Sequence, residues 1–158
     1  MEVLMLNVSF LELKIPPLLL CLITGLLMKI LASFWPFFQF SVQPFFVFLF
    51  AAAGSFIIFL ASHQFNKQQA SVNPLQPMKT AVLARRGIYR FSRNPMYLGM
   101  TVLLFAWGIY LQAVSGFLGV LLFVLYLTQF QIKPEERFLF KKFGPLYQDY
   151  CQQTRRWL

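Results

Sequence analysis

The chain has 158 residues, 58% of them hydrophobic and only 12% charged, with a formal net charge of +9. So little polar surface cannot cover a soluble globule of this size, which excludes an ordinary water-soluble domain and points to a single all-α membrane domain over residues 1–158. The positive balance does not point to nucleic acid, because the cations flank apolar runs, where anionic headgroups attract them equally well.

In chain order, residues 1–14 lack the basic region and small-residue cleavage site of a signal peptide and carry Glu2 and Glu12 instead. A hydrocarbon core of roughly 30 Å asks for about 20 mainly apolar residues per helix. The first segment of that kind covers residues 15–34, with Lys29 near enough to one end to snorkel. The second, 44–62, is free of charge. The run from Asn94 to Ile132 is also uncharged but is too long for one span, so it divides into spans 96–111 and 117–132 around a turn at Gln112–Gly116. Both spans are short. The 20 phenylalanines, many of them between Phe34 and Phe59, read as lipid-facing and interhelical packing.

Charge orients these spans. The connector 63–95 holds Lys67, Lys79, Arg85, Arg86, Arg90 and Arg93, and the tail 133–158 holds Lys133, Arg137, Lys141, Lys142, Arg155 and Arg156. The turns between spans one and two and between spans three and four carry no charge. By the positive-inside rule the connector and tail are cytoplasmic, and an even number of spans puts both termini there. Compact size and the lack of a eukaryotic-looking targeting signal make a bacterial inner membrane the default expectation for this multi-pass protein. In the tail, Pro134, Glu135 and Glu136 suit a helix start and Lys141, Lys142 and Gly144 a helix end, predicting a short helix 134–143. A second follows at 145–154, and the two form a lid along the membrane surface.

Few residues can carry chemistry. Glu135 and Glu136 have two readings: charges serving a helix N-terminus, or one carboxylate pairing with a connector arginine while the other faces a ligand. Arg93 reads as a topology charge, Pro95 as a helix start and Tyr97 as an interfacial aromatic, each open to a functional role as well. His63, the sole histidine, sits at a span end. With Cys21 and Cys151 far apart, no metal site and no disulfide is expected.

The order of three blocks is more specific than any one residue. Gly87-Ile88-Tyr89-Arg90, Arg93-Asn94-Pro95-Met96-Tyr97-Leu98-Gly99, and then Glu135-Glu136 with Phe143-Gly144, Tyr147, Tyr150 and Arg155 resemble the isoprenylcysteine carboxyl methyltransferase and phospholipid methyltransferase group of membrane enzymes. The resemblance covers roughly residues 73–156. It implies about four transmembrane helices and an S-adenosylmethionine pocket closed by connector and tail, bound by Tyr89, Arg93, Asn94, Pro95, Tyr97, Leu98, Glu135 and Glu136. Arg93, Asn94, Glu135 and Glu136 are the implied catalytic residues. The implied acceptor is a lipophilic or lipidated molecule entering from the bilayer among membrane lipids, a carboxylate foremost. Many relatives have His where this chain has Asn94, so a general base at that position gains no support. Membrane sterol reductases using NADPH look similar in their C-terminal half, and a non-catalytic scaffold would account for the apolar runs alone.

Overall fold

The computed structural model describes residues 12–34, 43–68 and 83–158, so Glu2, Lys79 and the rest of the connector between 69 and 82 lie outside the described residues. The described residues form helices and connections only. Helix α1 (Pro17–Ala32) opens on a proline whose fixed φ suits a first helical turn. Helix α2 (Gln43–Lys67) is apolar around its whole circumference. A short 3-10 turn, Gly87–Arg90, leads into α3 (Pro95–Leu111). Gln112, left-handed at φ 54°, closes α3, and α4 starts at Val114, so the expected five-residue turn shrinks to two residues.

Helix α4 corrects the sequence expectation for the tail. Instead of a span followed by a separate helix at 134–143, one helix runs Val114–Phe143. Pro134 has no N–H for the carbonyl four residues back, Phe130, and its ring crowds that carbonyl. The helix accommodates this by widening: Leu127–Ile132 is π-helical, and the Lys133 N–H reaches the Thr128 carbonyl. The Phe130 carbonyl accepts a hydrogen bond from the Leu13 N–H at 3.1 Å, supplied from the segment before α1. Gly144, at φ 52°, ends α4, and α5 follows at Pro145–Gln153.

Helix α3 is central, packing most extensively on α2 and also on α1 and α4, while α1 lies against α4. Close approach of α2 and α3 depends on Gly54 and Gly99. A Cβ at Gly99 would come within 2.5 Å of Ile58 Cγ1 and 2.9 Å of the Gly54 carbonyl oxygen. The core groups Met28, Tyr97, Leu104, Phe123, Leu127 and Ile132. Outward faces are apolar too: Leu22, Leu26, Phe48, Phe56, Leu121 and Leu125 are all exposed. Two helices, Gln43–Lys67 and Val114–Phe143, are long and apolar enough to cross a membrane; α1 and α3 are shorter apolar helices.

Candidate functional site

The three sequence blocks converge at one end of the bundle. Arg93 precedes α3, Glu135 and Glu136 lie just after the π segment of α4, and the last residues of the chain return to meet them. The tail is strapped to the connector by a run of bonds. Tyr150 Oη donates to the Tyr89 carbonyl at 2.6 Å, Arg93 N–H donates to the Arg155 carbonyl at 3.0 Å, and Asn94 Nδ2 donates to the Arg156 carbonyl at 2.9 Å. Burial pushes the phenol of Tyr150 up, so at neutral pH it remains a donor for that strap.

Glu136 is the hub of the charged cluster. Arg156 grips it with two bonds, Nε to Oε1 at 3.0 Å and Nη2 to Oε2 at 2.7 Å, while Arg93 Nη2 lies 3.1 Å from Oε1. The Arg93 and Glu136 side chains are 12% and 18% exposed, so water screens this pair little. Arg93 Nε is buried and has no hydrogen-bond partner.

Glu135 serves a different set of partners. Its Oε1 accepts from Tyr97 Oη at 2.7 Å and from Gln131 Nε2 at 2.5 Å. A helix of 30 residues is about 45 Å long against a core of about 30 Å, so the charged end of α4 from Lys133 onward projects past the apolar run. There, burial pushes the Glu135 carboxyl up to about 7, outweighing the lowering effect of the bonds from Tyr97 and Gln131, with Glu136 adding repulsion. Because α4 continues through this region, neither glutamate stands at a helix N-terminus. The helix-dipole reading is replaced by one ion-paired carboxylate and one carboxyl held by neutral donors.

The remaining expected residues are placed as follows. Tyr89 is buried, with its ring tilted against Phe65 and its hydroxyl 3.5 Å from the Ala61 carbonyl. Asn94 occupies the N-cap position of α3, yet its side chain makes no cap and reaches to the tail; Ser92 Oγ accepts the Asn94 N–H at 3.1 Å. Pro95 is buried as the first residue of α3, and Leu98 is partly buried in the first turn, where its N–H bonds the Asn94 carbonyl. Both therefore shape the helix start. Sequence reading missed Arg156, Gln131 and Ser92. Arg155 contributes its backbone carbonyl, while its side chain is exposed. The only available signal for Arg156 was its basic character beside a tail helix.

A cavity of about 640 Å³ lies beside this cluster, lined among others by Lys67, Arg85, Arg86, Arg90, Tyr150 and Thr154. Arg93, Asn94, Glu135 and Glu136 do not line it, so the pocket expected around the paired glutamates is not this cavity. Among the described residues no three His, Cys, Asp or Glu side chains gather as a metal site.

Apolar helices of membrane-crossing length with ionisable groups gathered at one end define an all-helical, membrane-associated class of protein. Within that class, the family model described as phospholipid methyltransferase matches residues 42–145, well over half of the chain. The chain belongs to that family, whose members are membrane methyltransferases. It is also 46% identical over 63 residues to a protein of uncharacterised function from Haemophilus influenzae, a match covering 40% of this chain and all of the relative. No solved structure matches.

Proposed function

We propose that this chain transfers a methyl group from S-adenosylmethionine to a lipophilic acceptor dissolved in the bilayer, with a carboxylate as the foremost acceptor. The observation that carries this reading is the gathering of Arg93, Glu136 and Arg156 beside Tyr97, Glu135 and Gln131 at the end of an otherwise apolar bundle. When bound, S-adenosylmethionine supplies a methyl group already activated on a sulfonium, so the protein needs to align and desolvate more than to move protons.

The residues present suit such a ligand. The buried Arg93 Nε is a donor without an acceptor, matched to a carboxylate or hydroxyl oxygen. Glu135 offers a carboxyl, oriented by Tyr97 and Gln131, to a hydroxyl or cationic group. Glu136 holds Arg93 in place, and Asn94 ties the start of α3 to the tail. Tyr89 ties the connector to α5, while Pro95 and Leu98 form the first turn beneath the site. The acceptor reaches the site laterally from lipid, along the apolar helices.

We further infer four spans, both termini and the connector in the cytoplasm, and a bacterial inner membrane. The basic connector and tail and the similarity to a Haemophilus influenzae protein support this placement. Cysteine labelling of Lys142→Cys from inside only is expected, and labelling from outside would refute the topology. Calorimetry with S-adenosylhomocysteine and with NADPH side by side tests the activity class. Saturable micromolar binding of the first alone is expected. Binding of NADPH alone would replace methyl transfer by reduction, and binding of neither by a folded sample would replace it by a scaffold role.

A further inference from the structure

The cavity beside the cluster has a chemistry that the methyl-transfer reading does not use. Lys67, Arg85, Arg86 and Arg90 line its roughly 640 Å³, and among the described residues no carboxylate lines it. Among the described residues these four cations have no acidic partner, whereas Arg93 and Arg156 pair with Glu136 and Arg137 pairs with Glu12. Four like charges around one cavity repel one another, and an anion in their midst relieves that repulsion.

One wall of the cavity is held in place. Tyr150 is tied to the Tyr89 carbonyl, and Thr154 Oγ1 lies 3.4 Å from the Arg90 carbonyl, so α5 and the connector are joined across the cavity's inner side. The Arg85 N–H is fixed by Gln68 Oε1 at 3.2 Å, which joins the connector to the end of α2. Position also favours a membrane ligand. Helix α2 has 25 residues, about 37 Å, so Lys67 at its end clears a hydrocarbon core of about 30 Å and lies at headgroup level.

We infer that this cavity binds the phosphate of a net-anionic lipid headgroup, independently of the cofactor and acceptor chemistry proposed above. Guanidinium forks match phosphate oxygens in two-point contacts, and the lack of any lining carboxylate leaves an ammonium or choline group without a counter-charge. Net-anionic headgroups are therefore preferred over zwitterionic ones. Each cation facing the phosphate near a membrane surface strengthens binding by roughly fivefold, and binding weakens as salt rises.

The test uses the purified full chain in neutral detergent, titrated with short-chain phosphatidylglycerol, short-chain phosphatidylcholine and inorganic phosphate. Saturable, salt-sensitive binding of phosphatidylglycerol, with phosphatidylcholine far weaker, is expected. The double variant Arg85→Gln/Arg86→Gln, at exposed positions, should weaken it about thirtyfold with S-adenosylhomocysteine affinity and melting temperature unchanged. Inorganic phosphate that binds as tightly and competes would support the phosphate site while assigning its source to solution. Equal binding of both lipids, or wild-type lipid affinity in the folded double variant, would overturn the inference. A fall in S-adenosylhomocysteine affinity without a fall in lipid affinity would also overturn it, by assigning the cavity to the cofactor.

Discussion

Replacing Glu136 with Gln keeps the shape of the side chain and removes the only charge shared by Arg93 and Arg156. Two guanidiniums would then face one neutral amide. Breaking a fully buried ion pair from one side costs about 3–5 kcal/mol, and a fully exposed pair contributes about 0–1 kcal/mol. The side chains of Arg93, Glu136 and Arg156 are 12%, 18% and 37% exposed, which sets this cluster between those limits and nearer the buried one. With one charged acceptor lost to three donors, about 2–3 kcal/mol is expected. For a chain of this size each kcal/mol shifts the midpoint by about 2–4 °C, so thermal unfolding in detergent should show a drop of roughly 5–10 °C. Arg137→Gln is the internal control. Its pair with Glu12 has side chains 59% and 28% exposed, so its loss should cost under about 1 kcal/mol. A Glu136→Gln shift no larger than that of Arg137→Gln would refute the hub assignment, and an additive Glu136→Gln/Arg156→Gln double variant would show that the two residues are not coupled.

The folded pKa of Glu135, about 7, lies above the ordinary carboxylate value. Its contribution to stability is fully present below the unfolded pKa and is lost as pH rises through about 7. The wild type should therefore melt lower at pH 8 than at pH 6 by a margin that Glu135→Gln removes, and an equal pH dependence in both proteins would contradict this. The same substitution should weaken S-adenosylhomocysteine binding about tenfold by isothermal calorimetry, and unchanged affinity would take Glu135 out of the cofactor site. Gly99→Ala should destabilise by about 1–3 kcal/mol in thermal unfolding, since the added methyl meets the Gly54 carbonyl as well as Ile58. A neutral result would show that α2 and α3 can separate without cost.

How much of this was legible beforehand differs from residue to residue. Run length and the absence of charge sufficed to locate all four apolar helices to within a few residues, except that α2 extends to Lys67 and α4 to Phe143. The same pattern could not show that Pro134 sits inside a helix. A proline at a first turn and one relieved by a π segment leave the same trace in composition, and the difference lies in whether a partner such as Leu13 reaches the Phe130 carbonyl. Spacing likewise brought Arg93 and the paired glutamates together by resemblance but did not divide Glu135 from Glu136. That division is tertiary: residues one apart on a helix point about 100° away from each other, so one meets Tyr97 across the bundle and the other Arg93 and Arg156. Gly99 read as part of a site block, and only the packing of α2 against α3 shows that it makes room for a neighbouring backbone. The sequence by itself determined the elements and their apolar character, because those follow from local composition. Which distant side chains meet was decided by how the helices pack, since contacts such as Asn94 with Arg156 join residues 62 apart, beyond the reach of any local pattern.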